Sequence, residues 1–422
     1  ISNIFTSLFS RLSLDGLSLL HEVSWWTHAI ILLSFLNYIP YSKHIHLLGA
    51  IPNIFFTHLE NTPLPKLRKI DFENTENYGV GNVFDFTWKQ LLDGYACTEC
   101  GRCDLYCPAN NTGKPLQPQS IIHQMRDNLK KNSAPLLSSR KFMDFSSASN
   151  EEKEKIQTQL VTKEWDTKWQ IAEDALWSCT TCGACMEACP VTNEHVPSII
   201  DMRRNQVMME SNLSQEGLTT LKNIENTGNP WGLGRDKREE WCKDMNIPVL
   251  GKDGLKENGS GYEYLFWVGC SGAYDDRYKK VTRSFAEILL QSKVDFAILG
   301  NEESCTGDSA RRLGNEYLFQ AMAEQNIETF KNYQVQKIIT TCPHCFHTLK
   351  NEYPDFGGKF EVTHHTEFLQ QLLKDNKVPL AKDTEEKSEN IVYHDSCYIG
   401  RWNNIYDAPR EVIKVTTGKE PA

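Results

Sequence analysis

The spacing of apolar residues changes character along the chain. From Val23 to Tyr41, nineteen consecutive positions hold no Asp, Glu, Lys or Arg. About twenty apolar residues span a bilayer, so this run predicts a short membrane-crossing helix. Trp25, Trp26, Tyr38 and Tyr41 flank it as an aromatic belt does. Lys43, Lys66, Arg68 and Lys69 follow it, which places the downstream side in the cytoplasm. Helical spacing with charge pairs comes next, in QSIIHQMRDNLKKN (119–132), EEKEKIQTQLVTKEWDTKWQIAEDALWSC (151–179) and VPSIIDMRRNQVMMES (196–211), and predicts three helices. A polar link follows at about 216–262, with NTGNPWGLG and GKDGLKENGSG. Beyond it the short apolar runs EYLFWVGC, VDFAILG and VQKIITTC alternate with helical stretches. That alternation predicts an α/β layer with a parallel sheet. NIVYHDSC (390–397) reads as one more strand.

Composition narrows the class. At 422 residues the chain is too long for one ordinary domain. With 40% hydrophobic and 24% charged residues, any membrane portion is a minority. A net charge of −10 argues against nucleic acid as a partner, because phosphate binding needs a positive surface. No G-x-G-x-x-G follows a strand and no Walker loop is present, so the sequence shows no nicotinamide or flavin fingerprint.

The fourteen cysteines carry the chemistry. CTECGRCDLYCP (97–108) and CTTCGACMEACP (179–190) repeat the pattern C-x2-C-x2-C-x3-C-P. In two-cluster iron–sulfur proteins, the fourth cysteine of each such run ligates the other cluster. This assigns Cys97, Cys100, Cys103 and Cys189 to one 4Fe–4S cluster, and Cys179, Cys182, Cys185 and Cys107 to another. Zinc prefers paired C-x2-C knuckles, and vicinal runs in a chain this long argue against disulfides. The two motifs and their helical connection resemble the two-cluster ferredoxin domain of succinate dehydrogenase iron–sulfur subunits and of heterodisulfide reductase. Met202, Met208 and Met209 read as packing residues.

A second set, Cys270, Cys305, Cys342 and Cys345, falls at the carboxyl ends of the strands or in the loops just beyond, where open α/β sheets place their sites. C-P-H-C between strand and helix also suits a thioredoxin-type dithiol. The arrival of Cys270 and Cys305 at similar strand ends favours cluster ligation. The stretches GCSGAYDDR, ESCTGDSARRLGNE and TTCPHCFHTLKNEYP resemble the cysteine-rich CCG domain. That domain occurs in heterodisulfide reductase, in glycolate and lactate oxidase iron–sulfur subunits, and in membrane reductases linked to fatty-acid oxidation. The family often has two adjacent cysteines at the middle position, where this chain has Ser304-Cys305. The resemblance then implies a third, ordinary four-iron cluster. Cys397 opens a truncated second CCG copy, Cys242 is a structural thiol, and His344 lies beside the cluster or in solvent. THHTEF (363–368) reads as a polar loop.

His28 and His46 are 18 positions apart, five helical turns and about 27 Å on one helix face. Intramembrane ionisable residues are functional by default, and imidazole is a common axial haem ligand. The pattern H-x11-P-Y/F-S-K/R-x2-H resembles the last helix of the nitrate reductase cytochrome b subunit. This implies His28 and His46 as axial ligands of two b haems, while His21 and His44 carry no role. Ile1 in place of a methionine leads us to expect earlier helices carrying the opposing ligands.

The expected fold is therefore α plus α/β multidomain. It comprises a membrane or cytochrome b remnant (1–60), a linker (61–90), an α-helical two-cluster ferredoxin domain (91–215), a linker (216–262), a first CCG domain (263–380) and the start of a second (390–422). The resemblances imply a quinone-linked oxidoreductase in the inner membrane with its iron–sulfur domains in the cytoplasm. Its donor would be an electron-transfer flavoprotein or a flavin dehydrogenase subunit. The alternatives are a heterodisulfide-reductase-like catalyst and the iron–sulfur subunit of a glycolate or lactate dehydrogenase.

Overall fold

The computed structural model describes residues 13–57, 63–138, 159–163, 169–378 and 391–421. Ser13 opens the first helix, Leu14–Tyr38, by accepting from the Gly16 amide, the usual N-cap arrangement. None of its residues is buried, and Leu14–Tyr41 is long and apolar enough to cross a membrane. The helix stops where proline removes a donor and crowds the carbonyl four residues back. Ile39–Tyr41 and Lys43–Ile45 are single 3-10 turns, and Ser42 between them is extended (φ −118°, ψ 174°). His46 begins a separate helix, His46–Phe55. The expectation that His28 and His46 share one continuous helix face is thus corrected: Pro40 and the extended Ser42 interrupt the axis, so the 27 Å spacing does not apply.

His46–Phe55 docks on the helix Trp88–Ala96. Gly49 makes the approach possible, since a Cβ there would lie 2.7 Å from the Tyr95 carbonyl oxygen. Trp88–Ala96 itself begins with a reciprocal Thr87–Gln90 capping box.

The cysteine repeat is a repeat of backbone as well as sequence. Glu99 and Thr181 both have φ +56°. Gly101 and Gly183 follow at φ +73° and +77°, and each caps a short helix, Arg102–Leu105 or Ala184–Glu187. Only glycine takes this left-handed position without strain. The helices expected at 119–132 and 196–211 appear as Pro118–Ser138 and His195–Met208. Met202 is in the core, whereas Met208 is half-buried and Met209 exposed.

The single helix expected over 151–179 is not what forms in its described part. β1 (Val161–Thr162) pairs in parallel with β2 (Ile171–Ala172), and only Glu173–Trp177 is helical; residues 151–158 and 164–168 lie outside the described residues. Leu160, Val161 and Ile171 are buried against Ile121, Ile122, Met125 and Ile199. Burial of these apolar side chains, two of them β-branched, overrides the local charge pattern.

The α/β layer has four parallel strands in the order β4-β3-β5-β6, where β3 is Tyr264–Trp267, β4 Phe296–Ala297, β5 Lys337–Thr340 and β6 Glu361–His364. Register is set by Tyr264↔Phe296, Leu265↔Ile338 and Ile338↔Val362. Alternate side chains face opposite layers. Leu265 and Trp267 pack on Phe319, Ile327 and Phe330 of the helix Glu316–Asn332. Phe266 and Val268 pack with Phe285 and Leu289 of Asp276–Gln291 and with Phe368 of His365–Lys374.

Three further expectations change here. The polar link is folded into this layer: Val249 bridges Ile298 in parallel, and Trp241, Cys242, Ile247 and Leu250 are buried. The Cys242 thiol donates to the Glu239 carbonyl, a structural role. THHTEF is not a loop but the end of β6 and the start of His365–Lys374. Among the described residues, 391–396 form no strand, and Val392 is exposed. Helix Asp407–Thr417 packs on His365–Lys374 through Gln370 and Glu411.

Candidate functional site

The repeated turns bring the fourth cysteine of each run to the other run's triplet. Cys97, Cys100, Cys103 and Cys189 line one pocket together with Val191, Asn193 and His195. Burial pushes the Cys97 thiol up to about 11 and Cys103 to about 12, and the neighbouring Cys189 adds to both. The Asn193 amide donates to Cys189 Sγ (3.3 Å), and His123 Nε2 lies 3.6 Å from Cys97 Sγ. In the second group, burial raises Cys179, Cys185 and Cys107. Cys182 and Cys107 both act on Cys179 and Cys185, and Cys182 acts on Cys107. Thiols held neutral by burial and mutual repulsion would become good ligands when a metal displaces their protons to solvent.

The sheet delivers the third group. Gly269 takes the left-handed turn (φ +75°) that ends β3 beside the C-P-H-C turn, its Cβ position lying in van der Waals contact with Cys345 Sγ at 3.4 Å. Cys270 lies against Cys305 and Cys342 against Cys345, close enough that one thiol of each pair stabilises the thiolate of the other. That stabilisation holds Cys270 below the usual thiol range and Cys342 at about 6, while Cys305 and Cys345 are driven up. Cys345 also feels Cys270 and Cys305, so the four form one site. The Gly307 amide donates to Cys305 Sγ (3.4 Å) and Arg238 Nη2 to Cys270 Sγ (3.7 Å). Glu303 fixes that guanidinium at 2.7 Å and accepts the Val268 and Gly269 amides. Sequence reasoning missed Arg238 and Glu303, because Arg238 comes from the supposed link.

The chemistry of the surroundings fits an iron–sulfur group. Trp267 Nε1, Arg238 Nε and Nη1, and the hydroxyls of Thr341 and Ser304 are buried without a partner. Each stranded group carries a penalty of about 1–3 kcal/mol, which acceptor sulfurs of a bound cluster relieve. Among the described residues no three His, Cys, Asp or Glu side chains converge closely enough for a single metal ion. A four-iron cube holds its thiolates farther apart than a zinc ion with bonds of about 2.3 Å does.

The sites are joined by buried contacts. From the ferredoxin helix His195–Met208, Arg204 pairs with Asp201 (2.7 Å) and Glu316 (2.7 Å). Arg311 continues from Glu316 (3.2 Å) to Glu352 (3.4 Å), and Arg312 from Glu352 (2.7 Å) to Asp308 (3.2 Å). Asp308 ends on His344 Nδ1 at 2.9 Å, so His344 is a half-exposed neighbour of the third site. Arg203 donates to the Cys179 carbonyl (2.7 Å) and the Arg312 carbonyl (3.0 Å). Gly314 (φ +97°) lets the two backbones meet, its Cβ position lying 2.5 Å from the Arg203 carbonyl carbon. On the other side, Asn53 Nδ2 reaches Asp93 (2.9 Å), the Val191 carbonyl (2.8 Å) and Asn193 (3.1 Å). The helix His46–Phe55, which follows the apolar span, is thereby fastened to the first pocket. Cys397 does not stand apart: burial and the Cys182 charge raise it, and it packs with Cys103 and Cys185.

Residues 96–193 match the family described as a 4Fe-4S dicluster domain, and residues 264–350 the family described as a cysteine-rich domain, CCG. The chain carries both iron–sulfur domains. It is 42% identical over 428 residues to the probable iron-sulfur-binding oxidoreductase FadF of Bacillus subtilis, covering 97% of this chain and 60% of that protein. It is 39% identical over 423 residues to the EtfAB:quinone oxidoreductase of Syntrophomonas wolfei, covering 99% and 58%. It is 36% identical over 354 residues to a probable membrane-anchored ferredoxin of Chromohalobacter salexigens, covering 82% and 51%. The chain thus spans little more than half the length of these relatives. No solved structure matches it.

Proposed function

We propose that this chain is the electron relay of a membrane-anchored iron–sulfur oxidoreductase, passing electrons between a cytosolic flavoprotein and quinone. The flavoprotein and quinone follow the names of the relatives, with electron-transfer flavoprotein as the first donor to test. The observation that carries the reading is continuity. The CCG thiol site adjoins the second ferredoxin site, that site exchanges its fourth cysteine with the first, and Asn53 fastens the helix His46–Phe55, which follows the apolar span, to the first. Bound clusters supply one-electron steps.

In this reading Cys97, Cys100, Cys103 and Cys189 hold one 4Fe–4S cluster, and Cys179, Cys182, Cys185 and Cys107 the second. Cys270, Cys305, Cys342 and Cys345 hold the third. Arg238 offsets thiolate charge at the third site, and the buried core around it excludes water. His28 and His46 are the haem b ligands, and Lys43, Lys66, Arg68 and Lys69 keep the cluster domains in the cytoplasm.

Anaerobically prepared protein carries about twelve irons in three reducible clusters. In membranes holding the full-length protein, reduced electron-transfer flavoprotein bleaches the clusters and added quinone restores their colour. A zinc-only preparation, or clusters that no reduced flavoprotein, lactate or glycolate bleaches, refutes the reading. Heterodisulfide cleavage is the second reading. Ser304 stands where the family often has a further cysteine, so the site offers four thiols, enough for an ordinary relay cluster. A glycolate or lactate dehydrogenase subunit accounts less well for the apolar helix Leu14–Tyr38.

A further inference from the structure

We propose that Tyr398 is the bridge through which the CCG thiol site and the second ferredoxin site exchange electrons; this rests on the relay reading above. In the sequence Tyr398 is only the neighbour of Cys397. In the structure it is 1% exposed and stands between two cysteine loops. Its hydroxyl lies 2.8 Å from Thr181 Oγ1, inside the Cys179–Cys182 loop. Either hydroxyl can donate across this contact, and Thr181 Oγ1 also lies 2.7 Å from the Thr180 carbonyl. On its other side, the Tyr398 ring lies 4.1 Å, centroid to centroid, from His344. His344 is the residue between Cys342 and Cys345, and Asp308 orients its ring.

Two non-covalent steps therefore connect the loops, one hydrogen bond and one ring contact. Neighbouring groups fix the geometry. Trp402 stacks on Tyr398 at 5.6 Å with rings within 10°, and its Nε1 donates to the Thr181 carbonyl at 3.1 Å. Asn403 donates to the Tyr398 carbonyl at 2.6 Å, and the Arg312 guanidinium lies over the ring at 5.4 Å. Electronic coupling passes better through bonds, hydrogen bonds and touching rings than across unbridged packing. The step moves one electron from one site to the other, forms and breaks no bond, and leaves the phenol with its proton. Burial disfavours the phenolate here, so the ring serves as a bridge and not as a stopping point. Tyr398 is a positioning residue for electron transfer and touches no reacting atom.

The test uses Tyr398→Phe, Tyr398→Leu and Thr181→Val in the cluster-loaded protein. A photoreductant such as deazaflavin injects single electrons, so the measurement does not depend on the natural donor. Time-resolved absorbance and freeze-quench EPR follow redistribution between the CCG site and the ferredoxin clusters. Iron content, EPR line shapes and midpoint potentials are read at equilibrium. The expected result is several-fold slower redistribution in Tyr398→Leu, with iron, line shapes and potentials as in the wild type. Tyr398→Phe, which keeps the ring, and Thr181→Val, which loses the hydroxyl and both of its hydrogen bonds, fall between. Unchanged redistribution in all three variants overturns the proposal. So does slowing that tracks lost iron or shifted potentials, which marks Tyr398 as packing alone. Failure of the relay reading looks different: the third site then takes up no electron in any variant, wild type included.

Discussion

Glu316 is the hub of the charge chain that joins the two cluster domains, and its removal has a predictable effect. It is fully buried and accepts from Arg204 Nη2 at 2.7 Å and from Arg311 Nη2 and Nε at 3.2 and 3.3 Å. Glu316→Gln keeps the volume but removes the charge and turns an amide N–H₂ toward two guanidiniums. Arg204 then keeps Asp201, while Arg311 is left with Glu352 at 3.4 Å. Removing one partner of a buried ion pair destabilises by about 3–5 kcal/mol, because the other charge stays buried and uncompensated. Total stability is about 5–15 kcal/mol, so the loss is a large fraction of it. Denaturant unfolding of the loaded protein, followed by far-UV circular dichroism and by cluster absorbance, reports it as a lowered midpoint. Two probes are needed because domains need not unfold together. The Arg283–Asp244 surface pair supplies the control, and Asp244→Asn leaves the midpoint unchanged. A Glu316→Gln loss below about 1 kcal/mol, the range of a surface pair, would refute the claim that this junction is a closed, dry charge network.

Other perturbations test other parts of the arrangement. Cys189→Ser removes about a third of the iron and abolishes the same EPR signal as Cys100→Ser, not the one lost in Cys182→Ser; the reverse pairing sinks the exchange of fourth cysteines. Asn53→Leu takes its donor from the Val191 carbonyl and the Asn193 side-chain oxygen, at about 1–3 kcal/mol, while Asp93 keeps Lys89. It shifts the first cluster's potential and slows quinone reduction while iron content holds, and an unchanged potential and rate contradict the docking role. His195 is 1% exposed, and burial lowers its pKa from 6.5 to about 4. The unfolded chain therefore takes up a proton between those values that the folded chain refuses. Stability is full above about pH 6.5 and falls by up to ~3 kcal/mol as pH drops toward 4. Thermal midpoints at about pH 7.5 and about pH 5 then converge in His195→Gln, and an equal acid loss in variant and wild type refutes the assignment.

What the sequence made legible was the local part of each site. Cys97 to Cys107 and Cys179 to Cys189 could be read because ligand spacing, the glycine before each short helix and the proline after the fourth cysteine all lie within a dozen residues. The third site was legible through three strand ends. The junction was not. Arg204 and Glu316 are 112 positions apart, and nothing in either neighbourhood marks the partner. The segment at 216–262 looked like a link because Trp241, Ile247, Val249 and Leu250 are too sparse to show a period. They are buried only because the edge of the sheet lies beside them. The 151–179 stretch misled for the opposite reason: its charges favour a helix, while Leu160, Val161 and Ile171 answer to a core formed by other segments.

The break at Pro40 matters more than a misplaced helix end, because it changes what His46 belongs to. On one continuous helix His46 would be the far end of the membrane span. In the structure it begins a second helix on which His46, Gly49 and Asn53 follow at steps of three and four, hence on one face. Gly49 and Asn53 use that face to reach Tyr95, Val191 and Asn193, and the Asn193 amide in turn donates to Cys189. The element that carries His46 is therefore the one clamped to the first thiol site. His28 remains on the apolar helix, ten residues before its end at Tyr38. The two histidines thus belong to different bodies, one set by the membrane and one by the ferredoxin fold. Separate His28→Ala and His46→Ala variants of the full-length protein should then behave differently. If the histidines hold haem as proposed, loss of His46 perturbs the EPR signal of the first cluster as well as the haem spectrum, whereas loss of His28 changes the haem spectrum alone. Identical effects on the cluster signal would show that the helix break has no bearing on the relay.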